Sequence, residues 1–220
     1  MTAERQTAET AVTETEQETA ETVVECIIKN GTVMGLELID VVIPDGVTAI
    51  GERALMRTRI KSVKIPDSVT SIGYSAFEGS TIQEITIDVE TIEDRTFHGC
   101  ASLSSATLGK SVRTIGKEAF EHCHNLTSLT IPDSVTSIDC WAFADTGLTS
   151  IVIPDSVTSI GDGVFYNCTN LTSVYIGNSV TSIGCSAFYG CTGLTIYGVK
   201  GSHAETYAKK HGIPFFEKSD

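Results

Sequence analysis

The chain has 220 residues, 41% hydrophobic and 7% aromatic, with 28 acidic against 15 basic residues and a formal net charge of −13. This acid excess repels phosphate backbones and no cluster of Lys and Arg interrupts it, which excludes nucleic acid as a partner class. No apolar run approaches the roughly 18 residues of a membrane span, so no membrane insertion is expected.

Residues 1–25 hold seven Glu, seven Thr and one Arg, for a net charge of −6 and no aromatic side chain. An acidic Thr/Glu-rich tail of this kind buries too little apolar surface to offset the entropy of ordering it, so disorder or a frayed helix is expected. It also lacks the basic start and apolar stretch of an export signal. Residues 26–42 read as an N-terminal capping hairpin: Ile27–Ile28 and Val33–Met34 flank Asn30–Gly31, the residue pair that suits a type I′ turn.

Residues 43–197 then repeat one phrase seven times, starting at Ile43, Ile65, Ile87, Leu108, Ile131, Ile153 and Ile176, in steps of 21–23 residues. Self-similarity at this period is the mark of a stacked solenoid, in which one repeat cannot bury its own apolar face. The stretch from Leu126 to Phe143 shows how each repeat is built. Leu129 and Ile131 alternate with Ser128 and Thr130, the period-2 pattern of a half-buried strand. Pro132–Asp133–Ser134 supplies a turn, since Pro presets φ and the Asp and Ser side chains bond nearby backbone. Val135 and Ile138 return to the core on a second short extended segment. A compact turn then carries Ala and Phe inward. Phe77, Phe97, Phe120, Phe143, Phe165 and Phe188 share that last position, with Leu55 in the first repeat.

Four of the seven cysteines, Cys100, Cys123, Cys168 and Cys191, also share one position, as expected of an inward stack of small apolar side chains. Cys140 and Cys185 share another but lie two repeats apart, too far for a bridge, and all seven are expected to be reduced. Residues 198–220 form a C-terminal cap. Ser202 and Glu205 make a capping box, Gly212 ends the helix, and Ile213–Pro214–Phe215–Phe216 reads as a closing edge strand.

Residues 126–141 and 171–191 match the repeat of the BspA-like leucine-rich repeat family nearly position by position, and the flanking VVIPDGVTAIG and GSHAETYAKKHGIPFF resemble segments that border such arrays. The resemblance implies a right-handed leucine-rich-repeat-type parallel β solenoid, mostly strand with short turns or 3-10 segments and a parallel sheet on its concave face. It further implies a secreted or cell-surface protein tied to adhesion, and it brings no catalytic residues. The chain itself shows no signal peptide or anchor and would be cytoplasmic if complete.

Among candidate chemical groups, His122–Cys123–His124 with His98 and Cys100 contains metal-ligand types. The repeat frame places both cysteines in the core and the histidines in turns, so no metal site is expected. Gly109–Lys110–Ser111 resembles the end of a phosphate loop, but Ser104 stands where its first Gly belongs. No catalytic constellation and no cofactor is expected. The outward strand positions carry more information. Their second column changes from Lys64 through Thr86, Thr107 and Thr130 to Val152, Tyr175 and Tyr197, an apolar stripe in the C-terminal half. Trp141 departs from the Arg, Ser, Glu and Gly at its equivalent positions, either as an interface anchor or folded over Gly163. These residues suggest a monomeric, non-catalytic protein–protein interaction module of the adhesion type, using its concave face on a protein or peptide partner. The alternative is a purely structural spacer within a larger surface assembly.

Overall fold

In the computed structural model the described residues are Val23–Val24 and 39–218. They form a parallel β-solenoid of about eight turns. Every turn but the central one contributes a longer strand to one wall, and each repeat adds a two-residue strand to another. The long strands form two four-stranded sheets, Ile39–Val42, Ile60–Lys64, Glu84–Ile87 and Ser105–Leu108 in one, and Ser150–Ile153, Ser173–Ile176, Thr195–Gly198 and Phe215–Glu217 in the other. The short strands, from Ala49–Ile50 through Ser182–Ile183, run in one unbroken sheet. Alternation is as expected of a half-buried strand: Ile85 and Ile87 point inward while Glu84 and Thr86 face out.

The core is a set of columns, each built from one repeat position. Phe77, Phe97, Phe120, Phe143, Phe165 and Phe188 stack with ring centroids 5.2–5.6 Å apart and planes within 14° of parallel. Their backbones are paired as well, Phe97 N–H donating to Ala119 O at 2.8 Å and Phe120 N–H to Ala142 O at 2.8 Å. Beside them the thiols of Cys100, Cys123, Cys168 and Cys191 donate to the carbonyls of Phe77, Phe97, Phe143 and Phe165 at 3.0–3.2 Å. Burial pushes these thiols up, Cys100 to about 11 and Cys191 to about 12. All six described cysteines are free, while Cys26 lies outside the described residues.

The aromatic turn takes a left-handed residue two places before Leu55 and each Phe except Phe188, and two places after all of them. Arg53, Ser75, Arg95, Glu118, Trp141 and Gly163 fill the first position, with φ between 53° and 64°. Arg57, Gly79, Gly99, His122, Asp145, Asn167 and Gly190 fill the second, mostly Gly or the Asn, Asp and His side chains that tolerate positive φ best.

The N-terminal end of the array departs from the boundary read in the sequence, while the C-terminal cap has the expected helix and closing strand. Ile39–Val42, assigned to the capping hairpin, pairs in parallel with Ile60–Lys64 and is the first rank of the long-strand wall. The strands expected about Asn30–Gly31 lie outside the described residues, as does the tail up to residue 22. Val23–Val24, at the end of that tail, is a strand parallel to Ala49–Ile50 rather than coil or helix. At the other end, helix His203–His211 starts at Ser202, whose hydroxyl accepts from Glu205 N–H at 3.3 Å, and stops at Gly212 with φ 68°. Tyr207 closes the Phe column edge-on against Phe188 at 5.8 Å and donates its hydroxyl to Cys185 O at 3.1 Å.

The rank expected from Leu126 to Ile131 is not a strand. Leu129 and Ile131 are buried and Ser128 and Thr130 exposed, so the extended alternation survives. Among the described residues, however, no backbone hydrogen bond reaches Ser128–Ile131; the nearest runs from Thr149 N–H to Thr127 O at 3.1 Å. Proline accounts for much of this. Elsewhere the residue after the strand donates to the previous rank, Gly109 N–H to Ile87 O at 2.7 Å and Gly177 N–H to Ile153 O at 2.9 Å. Pro132 and Pro154 occupy that position on both sides of the central rank and have no N–H to give. Pro66 removes the bond on one side of Ile60–Lys64, which still pairs.

Two outcomes follow from this packing. In native-state hydrogen exchange the amides of Ser128–Ile131 should exchange well ahead of those of Ile151–Ile153 in the next rank; equal protection would mean the central rank is paired. In a Cys26→Ser background, a thiol-labelling reagent at neutral pH should modify Cys140 and the exposed Cys185 quickly, and the four column thiols only on unfolding.

Candidate binding surface on the concave sheet

The outward faces of the long strands line an open concavity of about 980 Å³, which spans Ser105–Leu108, the central rank and the ranks as far as Tyr197. Strand register aligns the stripe expected from the sequence. Val152 stands opposite Tyr175, Tyr175 opposite Tyr197, and Tyr197 opposite Phe216. Val152 is 57% exposed, Tyr197 37% and Phe216 58%, while Tyr175 is half-buried. Phe216 was missed because Ile213–Phe216 was read only as a closing edge. The same alternation that turns Phe215 inward points Phe216 out, and it stacks on Tyr197 with centroids 6.1 Å apart. Lys218 bounds the stripe, its Nζ 4.5 Å from the Tyr175 ring centroid.

A parallel column of Ser150, Ser173 and Thr195 runs beside the stripe, so aromatic faces and hydroxyl groups alternate across the surface. The N-terminal half differs in chemistry. There Asp40, Ser62, Glu84 and Ser105 stand in register, with Ser62 Oγ donating to Asp40 Oδ1 at 2.7 Å. Val42, 69% exposed, is opposite Lys64 and far from the aromatic end. The concave face thus grades from charged, through Thr107 and Thr130, to apolar.

Trp141 does not join this surface. It lies on the turn side of the coil, half-buried, where its indole covers Gly163: a Cβ there would stand 2.9 Å from the ring. Its ring also meets Tyr166 at 4.9 Å, and Tyr166 stacks on Tyr189 at 5.1 Å. The fold therefore uses Trp141 to pack one turn on the next, one of the two roles the sequence allowed.

The same turn side carries a polar chain two coils earlier. Arg95 joins Glu78 at 3.2 Å to Glu118 at 2.9 Å. His98 Nε2 is 3.4 Å from Glu121 Oε2, and His122 lies between Glu121 at 3.8 Å and Asp145 at 3.6 Å. Burial depresses His98 and raises Glu121, so each is biased toward its neutral form. The two cysteines expected to sit away from these histidines do so, in the core. Glu121, which played no part in the sequence reading of this cluster, stands between the imidazoles.

A family model for the BspA type leucine rich repeat region matches in six copies over residues 27–145 and 90–207. Among solved structures, the Treponema pallidum leucine rich repeat protein is 34% identical over 52% of this chain and 59% of its own, with a TM-score of 0.50. A leucine-rich repeat protein of Bacteroides ovatus is 30% identical over 73% of this chain and 55% of its own, with a TM-score of 0.50. A leucine rich cell surface protein of Faecalibacterium prausnitzii is 26% identical over 78% of this chain and 62% of its own, with a TM-score of 0.51. The chain thus spans between 55% and 62% of the length of these relatives. No curated protein sequence matches it.

If Trp141 packs rather than binds, Trp141→Ser should lower unfolding free energy in urea by about 1–3 kcal/mol and leave ligand capture by the concave face unchanged. Loss of capture with unchanged stability would reverse that assignment.

Proposed function

The chain belongs to the BspA-type leucine-rich repeat family, whose members commonly mediate protein interaction, and from that premise we propose that it is a non-catalytic module whose concave sheet holds a protein or peptide. The observation that carries the reading is the in-register column Val152–Tyr175–Tyr197–Phe216. A folding role alone needs no exposed aromatic groups on this face, because the solenoid is specified by the inward columns. Four apolar side chains in successive ranks form a continuous surface, and Tyr and Phe lose little rotamer entropy when a partner covers them. The hydroxyl column beside them provides hydrogen-bonding groups at the strand repeat, a geometry suited to a polypeptide laid across the ranks.

The module is of the adhesion type and works outside the cell. Support comes from the Faecalibacterium relative, described as a leucine rich cell surface protein. The acid excess adds to this by disfavouring nucleic acid and anionic lipid as partners.

The test is quantitative capture of cell-surface proteins by the full chain, compared with Tyr175→Ser/Tyr197→Ser and with Phe216→Ser. Both variants should keep the native melting transition, since the changed side chains face out, and lose recovery of the specific partner by about tenfold or more. Unchanged recovery would sink the concave assignment and favour a spacer with no specialised face.

A further inference from the structure

Stacking turns the two positions that follow each Phe into two adjacent columns. In the first, His98 is followed one coil later by Glu121; in the second, His122 is followed by Asp145. Glu121 presents one carboxylate oxygen to each imidazole, Oε2 at 3.4 Å from His98 Nε2 and Oε1 at 3.8 Å from His122 Nε2. One ligand atom from each of the three residues lies within 4.8 Å of the other two. Tetrahedral zinc with bonds of ~2.0–2.1 Å sets its ligands about 3.3 Å apart, so side-chain rotation alone closes the remaining gap.

We propose that His98, Glu121 and His122 form a surface binding site for a zinc-class divalent cation, with its fourth position open to water. Two imidazoles and one carboxylate are donors that suit zinc and its first-row neighbours rather than calcium or magnesium. Asp145 supplies the outer support such sites need. Its Oδ2 lies 3.6 Å from His122 Nδ1, so a small rotation on binding would let it accept the Nδ1 proton and leave the Nε2 lone pair for the cation. All three ligands sit on turns held by inter-coil hydrogen bonds, Gly79 N–H donating to His98 O at 2.8 Å, Gly99 N–H to Glu121 O at 2.8 Å and His122 N–H to Ala144 O at 2.9 Å.

Arg95 works against the cation. Its Nη2 lies 3.3 Å from His98 Nδ1 and can only donate, so in the metal-free protein the His98 proton sits on Nε2 and faces Glu121. Binding moves that proton to Nδ1 and turns the guanidinium away, toward Glu78 and Glu118, which already hold it.

The experiment is calorimetric titration of zinc chloride into the untagged full chain carrying Cys26→Ser/Cys140→Ser/Cys185→Ser, which removes the thiols outside the core columns. One zinc per chain at micromolar affinity is expected. His98→Ala or His122→Ala should each weaken binding by about tenfold or more, and Glu121→Gln likewise, with circular dichroism melts unchanged. His124→Ala should have no effect, and Arg95→Gln, whose amide oxygen can accept from Nδ1–H, should bind more tightly. Absence of zinc binding by the parent, or binding that survives both histidine changes, would overturn the site. Unchanged or weaker binding by Arg95→Gln would overturn ligation through His98 Nε2.

Discussion

The ring column at the centre of the core is built between coils, each phenylalanine meeting the next about one coil away in sequence. The stacked phenylalanines make the point: Phe120 lies between Phe97 and Phe143, 5.2 Å and 5.4 Å distant, and its backbone N–H is bonded to the coil beyond. A single coil has no second layer against which to bury its apolar residues, so the columns carry the stability and end effects matter. Tyr207 meets the last ring of the column, and the two-residue strand Val23–Val24 meets the first short rank. The cap and Val23–Val24 are therefore continuous with the array.

Stacking also decides what the surface can do. A residue that departs from the consensus is placed beside its equivalents in the coils above and below, and two or three successive departures create a patch. Val152, Tyr175, Tyr197 and Phe216 become one apolar column in this way. On the turn side Tyr166 and Tyr189 stack in the same way, and Trp141, from a different repeat position, closes against Tyr166 and over Gly163.

The interruption at Ser128–Ile131 divides the concave wall at the point where its chemistry changes from polar to apolar. Its inward residues, Leu129 and Ile131, stay in the core, so the hydrophobic columns hold the coil in place without the sheet hydrogen bonds. Burial and backbone pairing are separable here: the first is set by side-chain alternation, the second by which residues can donate.

The sequence by itself determined the solenoid, the inward columns of Phe and Cys, the helical cap and the three residues that begin the concave stripe, because a repeat period converts one-dimensional spacing directly into neighbours in space. What it left open was set by contacts between coils. Periodicity could not show that Leu126–Ile131 lacks its ladder, since that depends on proline in two different coils. It allowed two roles for Trp141, and only the approach of Gly163 chose between them. The step of 23 residues from Phe97 to Phe120 puts Glu121 in register with His98, but register alone does not say that their side chains meet. Distances and proton positions around His98, Glu121 and His122 belong to side-chain rotamers, and those are fixed by the turn backbones of three stacked coils rather than by any one segment.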